Sequence, residues 1–278
     1  MSLRVALLIY PGFQLLDAAG PIAAFEIAER CTPGSYSLRV IAAEPGLVAS
    51  SSGASMHAVQ FGRARDVDTL LVAGGDGSRL AVSCTKTRRF IQDCAIKARR
   101  TASVCSGSYL LACAGLLDGK RATTHWNRAA DFARKFPTVH LQPDCIFVND
   151  GCIWTSAGIS AGIDLSLALI EDDLGESIAR RTDQQLVYLR RPGGQSQFSA
   201  LLEMQRANGR LFHAVTGMSP AKAIEQLRAE TARGSLANSG CSVQEVARPC
   251  GFGNVERMRR TFVRLFGAPP STVKYHAR

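Results

Sequence analysis

The sequence predicts a doubly wound α/β sheet over residues 1–190 and a small all-α domain after it. Three observations carry that expectation. Short continuous apolar runs alternate with longer periodic stretches as far as residue 190, the strand signal stops there, and the charge balance changes at the same place.

Val5–Tyr10, Leu38–Ala43, Thr69–Ala73 and Ala102–Cys105 are apolar on both faces, as parallel strands covered on both sides must be. The stretches Leu15–Glu29, Arg88–Arg99, Ser108–Leu117 and Asn127–Lys135 read as the helices between and after them. Ile146–Asn149 and Ile153–Ser156 flank Asp150-Gly151, the signal of a hairpin. Helices near Ala161–Leu174 and Glu176–Leu189 complete the first domain. Arg190-Arg-Pro-Gly-Gly-Gln-Ser-Gln-Phe-Ser199 is rich in Pro, Gly, Ser and Gln, which predicts an unpacked linker over 191–199. Residues 200–278 then read entirely as helix.

The 278 residues are 46% hydrophobic, enough for two packed cores and too many for disorder. No apolar run approaches the roughly 18 residues of a membrane helix, and Met1–Tyr10 lacks the pattern of a secretory signal, so a cytoplasmic protein with no membrane partner is expected. Nine cysteines, an odd number without a C-x-x-C pair, and five scattered histidines (His57, His125, His140, His213, His276) argue against a disulfide framework and against a metal; no cofactor is expected either. Charge is uneven. Residues 1–190 hold 20 Lys+Arg against 18 Asp+Glu, whereas residues 191–278 hold 13 against 5. A basic C-terminal part suggests a polyanion partner, with a solvated basic surface as the plainer alternative.

Ser103-Val-Cys105-Ser-Gly107 sits where a strand turns into a helix, with small residues on both sides of the cysteine. Such a turn leaves no room for large neighbours and is the steric signature of a nucleophile elbow. Cys105 would then lie at the carboxyl ends of the strands, where open α/β sheets bind ligands, and the following helix would favour its thiolate. Gly74-Gly75 ends the Thr69–Ala73 strand, so its N–H groups, with that of Ser106, are expected to face the crevice and hold an oxyanion or carboxylate. His125, twenty residues after the cysteine, either lines this pocket or is structural.

Val104-Cys-Ser-Gly-Ser-Tyr-Leu-Leu-Ala-Cys-Ala-Gly-Leu-Leu-Asp-Gly-Lys120, Ala122-Thr-Thr-His-Trp126, Tyr10-Pro-Gly-Phe-Gln-Leu-Leu-Asp-Ala-Ala-Gly-Pro21 and Thr155-Ser-Ala-Gly-Ile-Ser-Ala-Gly-Ile-Asp164 resemble the ThiJ/PfpI (glutamine-amidotransferase-like) domain found in AraC-type regulators. The resemblance spans about residues 4–190. It implies a flavodoxin-like sheet, an elbow cysteine at Cys105, a pocket histidine at His125 and, at Asp17, the acid that the superfamily keeps near the cysteine. Asp17 can equally be a helix N-terminal carboxylate with no ligand role. Hydrolytic members carry histidine directly after the elbow cysteine; here Ser106 removes that general base.

In the C-terminal part Ser242-Val-Gln-Glu245 is a capping box, Cys250-Gly-Phe-Gly253 is a turn, and Asn254 can cap the next helix. At about 100° per residue from Glu256, Val255, Met258, Phe262, Leu265 and Phe266 fall at about 180–280°, and Arg257, Arg260 and Arg264 at about 40–100°. One side is core and the other an arginine stripe suited to phosphates and guanine edges. Thr216-Gly-Met-Ser-Pro220 starts a long helix, with Ser219 as cap. These segments, with Val246-Ala-Arg-Pro-Cys-Gly-Phe-Gly253 and Phe266-Gly-Ala-Pro-Pro270, resemble the second helix-turn-helix of AraC/XylS regulators. Of the first unit, only Asn208–Val215 resembles anything, the tail of its recognition helix, as though two helices were deleted. Pro249, late in the first remaining helix, and Gly234, inside the long one, are expected to weaken the module by about 3 and about 1 kcal/mol.

Taken together, these features predict a non-enzymatic, dimeric, DNA-binding transcription regulator. A small molecule at the Cys105 pocket would control it; the resemblance points to a nitrogenous metabolite. Asn254, Arg257, Arg260 and Arg264 are the expected DNA contacts, and Gly74, Gly75, Cys105, Ser106 and His125 the expected ligand contacts. A cysteine-dependent hydrolase or hydratase, with Asp17, Cys105 and His125 as candidate catalytic residues, is the alternative. A sensor with impaired DNA binding is the third reading.

Overall fold

The computed structural model describes residues 2–63, 66–191, 193–196, 216–239 and 242–272. The chain divides into two compact units, Met1–Gln197 and Phe198–Arg278.

The first unit is built on an eight-stranded sheet in the order β3-β4-β2-β1-β5-β6-β10-β9. Its centre is β1 (Leu3–Leu8), β2 (Tyr36–Ala42), β5 (Thr69–Val72) and β6 (Arg100–Val104), all parallel. Leu7, Leu8, Leu70, Leu71, Val72 and Ala102 are fully buried, as strands covered by helices on both faces require. β3 (Gly46–Ala49) and β4 (Ser55–Gln60) extend one edge as an antiparallel pair that the apolar pattern does not announce. At the other edge β10 (Ile153–Ser156) runs parallel to β6 and antiparallel to β9 (Phe147–Asp150), with Gly151 at φ 66° in the expected hairpin turn. β7 (Arg121–Ala122) and β8 (His140–Leu141) form a small separate pair.

The helices are α1 (Leu15–Cys31), α2 (Ser78–Ala81), α3 (Thr85–Lys97), α4 (Gly107–Cys113), α5 (Ala129–Lys135), α6 (Ala161–Leu174) and α7 (Glu176–Leu186). α1, α6 and α7 pack on one another, and α3 packs with α4 over β5 and β6. Strand order reverses between β1 and β5. The crevice at that switch point lies beside the carboxyl ends of β5 and β6, where Gly74-Gly75 and Cys105 follow.

The segment after α7 corrects one expectation. Composition suggests an unpacked linker from Arg190 onward, yet Arg190 pairs with Glu171 and Asp183, Arg191 with Asp164, and Gln195 is buried. The polar residues that give the stretch its loop-like composition are the ones that bind it down.

In the second unit α8 (Pro220–Ser239), α9 (Val243–Ala247) and α10 (Val255–Phe266) surround a small core of Ala229, Ala232, Leu236, Val246, Phe252, Met258 and Phe262. Asn208–Val215, the remnant of a first recognition helix, lies outside the described residues. α8 runs through Gly234 unbroken. Pro249 is not interior to a helix: α9 ends at Ala247 and the proline occupies the following turn, so the expected penalty of about 3 kcal/mol does not arise.

Candidate functional site

Cys105 adopts φ 55°, a conformation that a non-glycine residue takes only where its surroundings impose it. The imposition is visible. A Cβ added to Gly158 would overlap the Cys105 side chain, and one added to Gly74 would lie 2.7 Å from Cys105 Cβ and 2.6 Å from Asp17 Oδ2. Gly107 lies against the carbonyls of Val72 and Ala73. The elbow is therefore held by glycines on three sides. Gly74 and the small residues around Cys105 are legible in the sequence; Gly158 lies within the Thr155–Asp164 motif, where nothing marks its contact with the cysteine.

Asp17, in the first turn of α1, is fully buried and faces this elbow. The N–H of Gly74 donates to its Oδ2 at 3.1 Å and the N–H of Ile159 to its Oδ1 at 2.7 Å. Burial pushes its carboxyl up to about 6, against the lowering effect of those N–H groups and of the Cys105 thiol. The same burial, with the Asp17 charge beside it, pushes the Cys105 thiol up to about 12; the N–H of Ser106 and the cation of Arg128 oppose this without reversing it. The expected thiolate is thus corrected. A helix terminus contributes about 0.3–1 kcal/mol, under one pKa unit, and loses to desolvation plus a neighbouring carboxylate.

The expected anion hole also changes character. The Gly74 N–H is taken by Asp17, and the Gly75 N–H donates to Ser106 Oγ at 2.9 Å while that hydroxyl donates back to the Gly75 carbonyl at 3.0 Å. These two donors hold the protein's own groups. Ser106 therefore fixes the loop after β5 against the elbow. Gly75, at φ 131° and hard against Gln14, admits no side chain there.

His125 is half-buried, and its Nδ1 lies 2.7 Å from Asn127 Oδ1 and 3.3 Å from the Asn127 nitrogen. Burial lowers its pKa, against the raising effect of the Asn127 contact. The charged groups that act on the thiol are Asp17 and Arg128, not His125. Thr124 is nearer the elbow: its hydroxyl donates to the Cys105 carbonyl at 3.1 Å. Beside Ser106 opens a cleft of about 410 Å³ lined by Arg79, Tyr109, Arg128, Asp131 and Lys135 among others. Of the five expected ligand contacts, Ser106 lines this cleft; Arg128, which carries no signal in the sequence, is the cation that joins cleft and thiol.

In the second unit Asn254 caps α10, its side chain accepting from the Arg257 N–H at 2.8 Å. Ser242 and Glu245 form the reciprocal capping box that opens α9. Met258 and Phe262 are buried on the expected side. Leu265 departs from it at 38% exposure, and Thr261 is buried instead, its hydroxyl donating to Glu225 of α8 at 2.9 Å. Phe262 and Phe266 stack edge to face in that last turn and take the inward space. Arg257, Arg260 and Arg264 are all exposed, but Arg264 is paired with Glu225. Arg233 of α8 lies 4.7 Å over the Phe266 ring.

Comparison with known proteins agrees with both units. The DJ-1/PfpI family matches residues 3–172, and a helix-turn-helix domain family of the AraC type matches residues 204–275. The isonitrile hydratase of Pseudomonas putida is 33% identical over 195 residues, covering 69% of this chain and 81% of that protein. The HTH-type transcriptional regulator CdhR of Pseudomonas aeruginosa is 27% identical, covering 98% of this chain and 91% of that protein. A ThiJ/PfpI family protein from Pseudomonas syringae superposes with a TM-score of 0.62 at 30% identity, over 69% of this chain and 77% of that one. With an elbow cysteine on a doubly wound sheet and a capped helix pair later in the sequence, the chain belongs to the DJ-1/PfpI family and carries an AraC-type helix-turn-helix domain.

Proposed function

We propose that this protein is a sequence-specific DNA-binding transcription regulator, in which a small molecule bound beside Cys105 controls how the C-terminal helices meet DNA. The observation that carries the reading is α10: capped by Asn254, it turns an apolar side to α8 and α9 and leaves Arg257 and Arg260 in solvent. Arginines so placed neutralise phosphates and pair with guanine. The matched helix-turn-helix family and the regulator CdhR support it. In this reading residues 1–190 are the sensor, 191–199 the connection and 200–278 the DNA-reading unit. The protein acts in the cytoplasm as a homodimer on paired half-sites. Asn254, Arg257, Arg260 and Arg264 face DNA, Arg264 by exchanging Glu225 for phosphate. The effector sits beside Cys105, Ser106 and His125, with Gly74 and Gly75 shaping the wall rather than donating to it, and belongs to the nitrogenous metabolites that the family resemblance suggests. Among the described residues no helix is long and apolar enough to cross a membrane.

The test is fluorescence anisotropy on DNA from upstream of its own gene against random duplex, at several salt concentrations. Preference for the upstream DNA is expected. Equal affinity for both at every salt concentration contradicts the proposal.

A second reading, a cysteine-dependent hydratase, is favoured by the Asp17–Cys105 pair and by the similarity to isonitrile hydratase. A thiol pushed to about 12 and a histidine engaged by Asn127 weigh against it. Isonitrile hydration abolished by Cys105→Ala would establish it. A sensor with weakened DNA binding is supported by the alignment with CdhR, which runs over 308 positions against the 278 residues of this chain. Restoring two helices before residue 208 should then raise DNA affinity.

A further inference from the structure

Residues 188–191 and 193–196 are bonded to the two loops that hold Asp17 and Cys105. Gln195 is 6% exposed. Its Nε2 faces the carbonyls of Thr124 at 3.0 Å, Pro143 at 2.9 Å and Cys145 at 3.0 Å, and Thr123 Oγ1 at 3.3 Å. Its Oε1 accepts from the Trp126 N–H at 2.9 Å. The backbone around it is held as well: the N–H groups of Gln195 and Ser196 donate to the Asp144 carbonyl and carboxylate. Thr124 is one bond from the elbow, through its hydroxyl on the Cys105 carbonyl.

The other end of the strap meets the other loop. The Tyr188 hydroxyl donates to Asp164 Oδ2 at 2.8 Å and lies 3.2 Å from the Ser160 carbonyl, and Arg191 Nη1 donates to Ser160 Oγ at 2.9 Å. Ser160 follows Ile159, a residue at φ 51° whose N–H holds Asp17. A mere connector needs no buried amide surrounded by main-chain carbonyls. Buried carbonyls must find donors, so this cage and its plug specify each other.

We propose that residues 188–191 and 193–196 form a latch that reads the state of the elbow. With Cys105 in its resting conformation, Thr124 and Ile159-Ser160 hold the seats for Gln195 and Arg191. A small molecule that shifts the Cys105 carbonyl or the Asp17–Ile159 contact unseats the strap and changes where the chain departs towards residue 198. The last step rests on the regulator reading above; the coupling of elbow to strap stands on the α/β unit alone.

The test is hydrogen exchange on the full chain, read by mass spectrometry. Thr124→Val removes the bond to the Cys105 carbonyl but keeps the Thr124 carbonyl that Gln195 uses. Gln195→Met keeps length and removes the amide. Both are expected to speed exchange across residues 188–196 and at Trp126 by roughly 10- to 100-fold, with β1 and β2 unchanged. Thr124→Ser should restore the wild-type rate. If Gln195→Met speeds exchange and Thr124→Val does not, the strap is a local anchor and the latch is overturned; no change in either variant overturns it too. Absence of DNA binding by the wild-type chain would remove the regulator reading and leave the exchange result as it is.

Discussion

Asp17 and Arg264 each sit at the centre of a candidate site, and their surroundings differ in a way that separates the two halves of the molecule. Asp17 is sealed among glycines and backbone N–H groups; its burial raises its own pKa, and the thiol's burial together with the Asp17 charge raises that of Cys105. Arg264 lies on an open helix face, more than half exposed even while paired with Glu225. The first arrangement fixes geometry and suppresses reactivity. The second keeps charge in water, where it remains available to another polyanion. A pocket that holds its cysteine neutral and strained suits recognition more than turnover, and a solvated arginine face suits salt-dependent binding.

The sharpest way to break the comparison is at Gly158. Its φ of 98° and its contact with Cys105 leave no room for a methyl group, so Gly158→Ala should cost the α/β unit about 3 kcal/mol or more in urea unfolding. A cost under about 1 kcal/mol would mean the elbow is not packed as described.

Asp17→Asn addresses the electrostatics. The folded carboxyl titrates at about 6 against about 3.9 in an unfolded chain, so the folded state holds the extra proton between those values. The resulting stability is complete below about pH 4 and is lost as pH rises through 6, by up to about 3 kcal/mol. Asp17→Asn should flatten that slope. Removing the charge should also lower the Cys105 pKa and speed its alkylation at pH 8 by about tenfold. An unchanged slope and rate would show that Asp17 does not govern the thiol.

The second unit should respond more mildly. An added Cβ at Gly234 meets nothing within 4 Å, so Gly234→Ala should stabilise the helical unit by about 1 kcal/mol in thermal unfolding. Arg264→Ala, which removes a pair whose arginine is 60% exposed and leaves Glu225 its bond from Thr261, should change its stability by less than about 1 kcal/mol. A larger loss would make Arg264 a structural residue rather than one available to DNA.

Much of this is legible in the sequence, for physical reasons. Strands buried on both faces must be largely apolar, and β1 and β5 stand out that way; β2 keeps Ser37 and Arg39 out of the core, and β6 buries Arg100, Thr101 and Ser103 among its apolar residues. β3 and β4 flank the serine-rich run Ser50–Ser55 and lie at an edge, where apolar demand is weak. The elbow stands out because close packing demands small residues in series around Cys105. Which donor serves which acceptor does not, because Gly74 and Gly75 advertise room but not direction. Gly158, Ile159 and Arg128 reach the site only through the fold. Gln195 reads as linker because a polar residue in a Pro-Gly-Gly context carries no mark of the carbonyls it will meet. Pro249 reads as helix interior because the Val243–Ala247 pattern does not show where the helix stops.

The central claim is that the exposed arginine face of α10 engages DNA. The direct measurement is the slope of log affinity against log salt for the wild-type chain and for Arg257→Ala/Arg260→Ala. The claim predicts weaker binding and a slope smaller by roughly 0.9 for each phosphate no longer neutralised. Equal slopes and equal affinities in a folded double variant would contradict it.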